Sequence, residues 1–316
     1  MDTNLLINVE PSVILKVLTK TATSGEIINR KKIAVARERE QKKMFEAEGI
    51  FKNSVHAKLL VAGAREVCAE TGEKWFENFS RCEVEEYCQM CEACMKTRIL
   101  KYRCSLKWCP CCNWRVSLKR KELMERMTAG IYDVKHVVLT QRNFHEGLKE
   151  KIRESRKNLA KMRRQKFLGK VRGGCASLEF TNEKRGWHMH WHLLVQAQFV
   201  PAGALARAWG KLVGQEYAIV NVKEVDEISY LQEVCKYVVK GSELSSWKPQ
   251  QILEFVLALK GTRCFSSFGK FREMQKFAKA MMECEKIEAG PCECGNDTFI
   301  FARSADEAVG IHAKMF

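Results

Sequence analysis

Three of the seven histidines fall at 188, 190 and 192. Alternate residues of a β-strand share one face. In the run WHMHWHLLV (187–195), His188, His190 and His192 are therefore expected to converge. Met189, Trp191, Leu193 and Val195 take the opposite, buried face. Clustered imidazoles on a sheet face are a ready metal site. The preceding run GCASLEFT (174–181) reads as a second strand, joined to the first by the turn NEKRG (182–186). Folding about Lys184–Arg185 sets Glu179 opposite His190 on the same face. Two imidazoles and a carboxylate suit a divalent ion with open positions, Mn²⁺ or Mg²⁺. A third imidazole would shift the preference toward softer ions.

A second constellation follows in DEISYLQEVCKYVVKGSEL. Leu231, Val234, Cys235, Val238 and Ser242 follow helical spacing and make the stripe to be buried. Glu233, Tyr237 and Lys240 lie on a neighbouring, more polar face. An unperturbed phenol, with pKa about 10, is a weak nucleophile. A cation on a phosphate, with Lys240 nearby, would stabilise its phenolate. Glu233, one turn away, has the chemistry of a general base. Tyr230, on a similar face two turns earlier, is the rival nucleophile.

The cysteines form a third group. Cys91-x2-Cys94 and Cys109-x2-Cys112, fourteen residues apart, give the paired knuckles of a four-thiolate zinc site. Cys82, Cys88, Cys104 and Cys111 are surplus, with Cys88 and Cys104 as alternates and room for a second ion. Cys284, Cys292, Cys294 and His312 could make a further small site, although no second knuckle is present there. NWRVSLKRKELMERM (113–127) reads as a basic helix, able to dock DNA or to serve as a solvated face.

The elements that must position these groups form an alternating series. HVVLTQR (136–142) reads as a strand, 146–169 as a helix, and the hairpin follows. Then come a helix near 202–213, a strand over 217–225 and a helix over 226–240. The order β-α-β-β-α-β-α predicts an α+β fold, an antiparallel sheet of ferredoxin-like type with helices on one face. Four segments are expected: a helical N-terminal extension (1–80), a cysteine-rich zinc-binding module with its basic helix (81–130), a catalytic core (131–245) and a C-terminal helical extension (246–316).

With 54 Lys and Arg against 38 Asp and Glu, the net charge is +16. That surplus attracts polyanions, and it is clustered. Lys149–Arg172 holds eleven basic residues against Glu150 and Glu154, and Lys96–Arg126 holds ten against Glu122 and Glu125. Such runs fit contact with phosphates. A composition 46% hydrophobic excludes a disordered chain. No apolar run of membrane-spanning length occurs, and the first residues do not read as a signal peptide. Fifteen cysteines are therefore expected to be cytoplasmic thiols that bind metal. The Gly-x4-Gly-Lys-Ser/Thr loop of an ATPase motor is missing.

Taken together, the motifs resemble the HUH endonuclease superfamily and, within it, the single-tyrosine plasmid rolling-circle replication initiators. VVLTQRN (137–143), with Thr140, resembles their first motif. WHMHWHLLV resembles the second, which implies His190 and His192 as metal ligands. EVCKYVVK (233–240) resembles the third, which implies Tyr237 as nucleophile, Glu233 as terminating base and Lys240 as helper. Met189 stands where that family usually has proline. CSLKWCPCCNWRVSLKR (104–120) is similar to the cysteine segment ahead of their catalytic core, so the resemblance spans about 90–245. It implies a metal-dependent nickase that opens and rejoins one DNA strand through a 5′-phosphotyrosine, with an HUH core of ferredoxin-like (RRM-like) type. The implied partners are single-stranded and origin DNA and a host helicase, with no membrane. Transposases and mobilisation relaxases share the metal and tyrosine motifs, and a non-catalytic zinc-containing nucleic-acid-binding protein is a third reading. Against the last, the histidine triplet would have no task.

Overall fold

A computed structural model describes residues 43, 46–128, 131–183, 185–225, 239–276, 278–279, 292–296 and 298–315. Residues 48–61 are helical and lead into α1 (Ala64–Thr71) and α2 (Trp75–Arg81). A hairpin of β1 (Glu86–Cys91) and β2 (Thr97–Lys101) precedes the long helix α3 (Pro110–Thr128). The central unit then runs β3 (Val134–Thr140), α4 (Leu148–Met162), β4 (Gly173–Glu183), β5 (Gly186–Gln196), α5 (Ala202–Leu212) and β6 (Val220–Glu224). After it come α6 (Gly241–Ser246), α7 (Pro249–Leu259), β7 (Phe265–Gly269), β8 (Phe299–Ala302) and α8 (Ala305–Met315).

Five strands form one antiparallel sheet in the order β6-β3-β5-β4-β7. The four strands of the βαββαβ unit are thus arranged fourth, first, third, second, the ferredoxin-like order expected from the alternation of periods. The α+β class holds. Its β4–β5 hairpin closes at the pair Glu183↔Gly186. At Gly186 φ is +89°, and a Cβ there would press on the Phe144 carbonyl, so both backbone and space call for glycine.

The two faces of the sheet are dressed differently. One carries Leu178, Phe180, Trp187, Met189, Trp191 and Leu193, all buried, under α4, α5 and α7. α4 contributes Leu148, Ile152, Leu159 and Met162 from one stripe. Phe255 of α7 lies edge-on to Phe180, ring centres 5.2 Å apart. Polar tips inside this layer are paired: Trp191 Nε1 donates to Ser155 Oγ at 2.8 Å and Trp209 Nε1 to the Thr140 carbonyl at 2.6 Å. The other face bears the histidines. At one end it is covered by Leu123, Met124 and Met127 of α3, packed with Val134, Cys175, Leu194 and Phe271. The predicted basic helix is therefore neither free nor wholly solvated, because three apolar residues on one stripe tie it to the sheet.

The ends of the chain differ most from expectation. The segment from 246 onward is not only helical. β7 extends the central sheet beside β4, and β8 pairs with β1 in a second sheet, ordered β2-β1-β8. Residues 48–81 are tied in as well. Lys58 Nζ donates to the carbonyls of Ser245 and Trp247 at 2.6 and 2.8 Å. Glu48–Phe316 form one compact unit, so those parts of the expected segments pack as one body around shared sheets.

Glu48 is buried beside Gly241 and Phe51, where a Cβ at position 241 would collide with its carboxylate. Its Oε2 has no hydrogen-bond partner among the described residues. Burial pushes its pKa from 4.5 up to about 7. The folded chain thus binds this proton more tightly than the unfolded chain. Its contribution to stability is full below pH 4.5, is lost as pH rises to about 7, and is level above that. Urea unfolding between pH 4 and 8 should show this decline for the wild type and a flatter profile for Glu48→Gln, which should be the more stable protein at pH 8. Parallel profiles would place the titration elsewhere.

Candidate functional site

β5 places its histidines as period two requires. Thr140 of β3 and Glu179 of β4 flank His190, and Val138 and Ser177 flank His192. All six share one face of the sheet. His188 and His190 are half-buried while His192 and Glu179 are buried. His192 Nε2 lies 2.8 Å from Glu179 Oε2 and its Nδ1 lies 3.3 Å from His136 Nε2. The His136 and His192 rings stack nearly parallel, at 10°. His188 Nδ1 pairs with Asn143 Oδ1 at 2.7 Å, and its ring meets that of His190 at 4.3 Å.

An imidazole nitrogen aimed at a carboxylate oxygen needs a proton or another cation between them, since two lone pairs facing at hydrogen-bond distance repel. His136 decides which nitrogen of His192 is available. Held at Nδ1, the ring presents Nε2 to Glu179, the arrangement by which metal-ligating histidines are oriented from behind. His136 was missed in sequence because one histidine in an apolar strand reads as part of the strand. Its even spacing from Thr140 was the available signal. Among the described residues, the groups whose ligand atoms all lie within 4.8 Å are thiols. His190 does not close to that spacing with His192 and Glu179.

Of the tyrosine helix, Glu233 and Tyr237, with the rival Tyr230, lie outside the described residues. Lys240 is exposed and precedes α6. Contacts anchor the chain just after Tyr237. Asn113 Nδ2 donates to the Val239 carbonyl at 3.2 Å, and Glu243 Oε1 accepts from the Asn182 backbone N–H at 3.1 Å. Asn182 belongs to the hairpin end of β4, next to Thr181, the partner of His188. Residues 239–243 are thereby held to both the cysteine helix and the histidine hairpin.

The cysteines assemble into two groups of four, and the expected set of Cys91, Cys94, Cys109 and Cys112 is split between them. Cys109 and Cys112 join Cys82 and Cys104, whereas Cys91 and Cys94 join Cys292 and Cys294. The two expected knuckles are thus separate, because β1 and β2 carry Cys91 and Cys94 toward β8 while α3 carries Cys112 toward the end of α2. In the first quartet Cys82 Sγ lies 3.9 Å from Cys109 and 3.5 Å from Cys112, and Cys104 lies 3.6 Å from Cys112. Four sulfurs about 2.3 Å from a tetrahedral ion stand about 3.8 Å apart, so the set has the span of a zinc site. Cys112 sits in the first turn of the nineteen-residue α3, just after Cys109, where the helix dipole favours its thiolate.

The second quartet shows sulfur separations of 3.6 Å (Cys91–Cys294) and 3.3 Å (Cys94–Cys292). Its second knuckle is Cys292-x-Cys294, turned tightly by Gly295 at φ +90°. The Cys94 backbone N–H, with help from Asn296, holds the Cys91 thiol down to about 6. His312 is not a ligand here, since its Nε2 bonds the Glu92 carbonyl at 2.9 Å. Cys88 packs with Met90, Ile300, Ala302 and Ala308 as a core residue, and Cys111 is buried outside both quartets. Cys284 lies outside the described residues. Either quartet could hold a metal ion such as zinc.

Comparison with known proteins agrees with the motifs. The "Replication protein" family matches residues 96–290, more than half of the chain. The "Protein rep" of Lactiplantibacillus plantarum is 26% identical over 221 residues, covering 59% of this chain and 68% of that protein. No solved structure matches the chain. The matched segment holds the histidine hairpin and three cysteines of the first quartet, while Cys91, Cys94, Cys292 and Cys294 flank it on both sides. In the described residues no helix is long and apolar enough to cross a membrane. The chain belongs to the Replication protein family of plasmid rolling-circle Rep proteins, and it is a plasmid replication initiator.

Proposed function

We propose that this initiator nicks one strand of its plasmid origin by attack of Tyr237 on a phosphate, and later rejoins that strand. The observation that carries the reading is the buried His192–Glu179 pair, oriented by His136 and flanked by His190 on one sheet face. A nitrogen and a carboxylate oxygen converging there, with half-buried imidazoles beside them, fit a hard or borderline divalent cation. His192 and Glu179 would hold it, and His190, with His188 next in line, would complete the set on closing toward them. Mn²⁺ or Mg²⁺ so bound would supply Lewis-acid charge at the scissile phosphate.

The chain's own groups do the rest. The Tyr237 phenolate oxygen attacks phosphorus and forms a P–O bond, while the bond to the upstream 3′-oxygen breaks. That oxygen leaves and takes up a proton as the 3′-hydroxyl. The downstream 5′-phosphate stays on tyrosine, so an ester is exchanged for an ester and the bond is kept for rejoining. Lys240, exposed at the start of α6, is suited to offset charge on phenolate or phosphate. Glu233 would take a proton from the water or hydroxyl that ends the cycle. Anchoring of residues 239–243 to the hairpin supports a nearby tyrosine segment, as does the match of the family to the stretch that contains it.

We further propose that both thiol quartets hold zinc and that these ions are structural. Purified protein should then contain two zinc ions. One should be lost in Cys82→Ser/Cys109→Ser, together with folding stability, and the other in Cys292→Ser/Cys294→Ser. Active protein with zinc near zero would contradict this. For the chemistry, a labelled origin oligonucleotide should become covalently attached to wild type in Mn²⁺ and not in excess chelator. Tyr237→Phe removes one oxygen, so the fold should persist and the adduct vanish, whereas Glu233→Ala should form the adduct and fail to release it. Attachment to Tyr230, or to no tyrosine, would overturn the proposal.

A further inference from the structure

Away from the histidine face, a cleft of 1340 Å³ opens beside the edge strand β7. Nine of the side chains lining it are Lys or Arg and none is Asp or Glu. They come from several elements, among them Arg120 on α3, Arg153 and Arg156 on α4 with Arg163 at its C-terminal cap, and Arg263 and Arg272 around β7. No residue of the histidine site contributes. We propose that this cleft is a separate site for the phosphate backbone of duplex DNA, which holds the origin while the histidine face handles one strand.

Helical periodicity makes the site. Positions 153, 156, 157, 160 and 163 form one stripe running along α4 to its C-terminal cap, adjoining the buried stripe of Leu148, Ile152, Leu159 and Met162, of which Leu159 also lines the cleft. At a rise of about 1.5 Å per residue the basic stripe is about 15 Å long. A duplex carries one phosphate per ~1.7 Å of axis, so about nine phosphates pass along such a length. Gathering cations against one another is unfavourable without a polyanion. Arg163 shows the strain, its pKa lowered by burial and then by Arg272 and Arg164.

The aromatic residues argue for a duplex over a single strand. Surfaces for single strands expose aromatic faces on which bases stack. Here Phe265 is covered by the Arg120 guanidinium at 5.3 Å and Phe268 by that of Arg163 at 4.9 Å. Trp191 is 3% exposed, with its indole N–H given to Ser155. The rings serve to hold guanidinium groups in place, which leaves charge, and no stacking platform, facing the cleft. β7 also ends the sheet among the described strands, so backbone N–H groups along its outer edge can join the arginines.

The identity of the polyanion rests on the family's replication role, and not on the tyrosine chemistry. The test is a salt titration of the full-length protein with a 40-base-pair duplex and with a dT 40-mer. Arg153→Ala/Arg156→Ala/Arg263→Ala removes three exposed cations. The plot of log K against log salt for the duplex should become shallower by about 2.7, which is three contacts at about 0.9 each, with affinity at least tenfold weaker. Binding of the dT 40-mer, and covalent attachment to a single-stranded origin oligonucleotide, should be unchanged. The matching Arg→Lys triple variant keeps the charge and should restore the duplex slope. An unchanged duplex slope in the alanine variant, or an equal loss for the dT 40-mer, would overturn the proposal. Since the duplex titration needs no adduct, failure of attachment in every variant would count against Tyr237 alone.

Discussion

The histidine face is organised around one imidazole. His192 is buried between a carboxylate and a second imidazole, and in such surroundings each polar atom must be matched. That match depends on register. Glu179 and His136 reach His192 from the two strands that flank β5, one on each side. A slip of one residue in either ladder would turn the partner to the opposite face. The Glu183↔Gly186 closure fixes one register, and the strand pairing of β3 with β5 fixes the other. Everything on the far side of the sheet, from the Trp187 and Phe255 rings to the amphipathic α4, keeps these strands from shifting by burying their alternate residues.

The thiol quartets answer a different difficulty. The sheet β2-β1-β8 is small, and the apolar cluster about it contains little beyond Cys88, Met90, Ile300, Ala302 and Ala308. A core of that size holds a fold poorly without a staple. Cys91 and Cys94 meet Cys292 and Cys294 across about two hundred residues of sequence. The first quartet brings the end of α2 against the start of α3. α3 in turn runs out to cover one end of the histidine face. The second quartet brings together the two flanks of the segment that the family matches, Cys91 and Cys94 before it and Cys292 and Cys294 after it.

What could be read from sequence was what is local. Period two placed the three histidines on one face, and the short hairpin turn put Glu179 opposite His190. The alternation of strand and helix predicted the ferredoxin-like order. Grouping of the cysteines was not legible. A Cys-x2-Cys pair announces a knuckle and says nothing about its partner, so the two pairs close in sequence were joined although β1 and α3 diverge. Cys82, which has no near neighbour of its kind, completes one quartet, and the Cys-x-Cys at 292 completes the other. His136 and the edge strand β7 escaped for a like reason, since each gains its meaning from residues far along the chain. Glu48 lay in a stretch whose helical pattern gave no sign of a buried carboxylate.

The account turns on whether His192 and Glu179 together receive the catalytic cation. Side-chain NMR of isotope-labelled histidine, during titration of the zinc-loaded protein with Mn²⁺, measures this directly. Paramagnetic broadening is expected to reach His192 and His190 first, then His136, with His312 left sharp, and Glu179→Gln should raise the Mn²⁺ concentration required. A His192 signal that stays sharp in protein fully competent to nick, or equal broadening in Glu179→Gln, would contradict it.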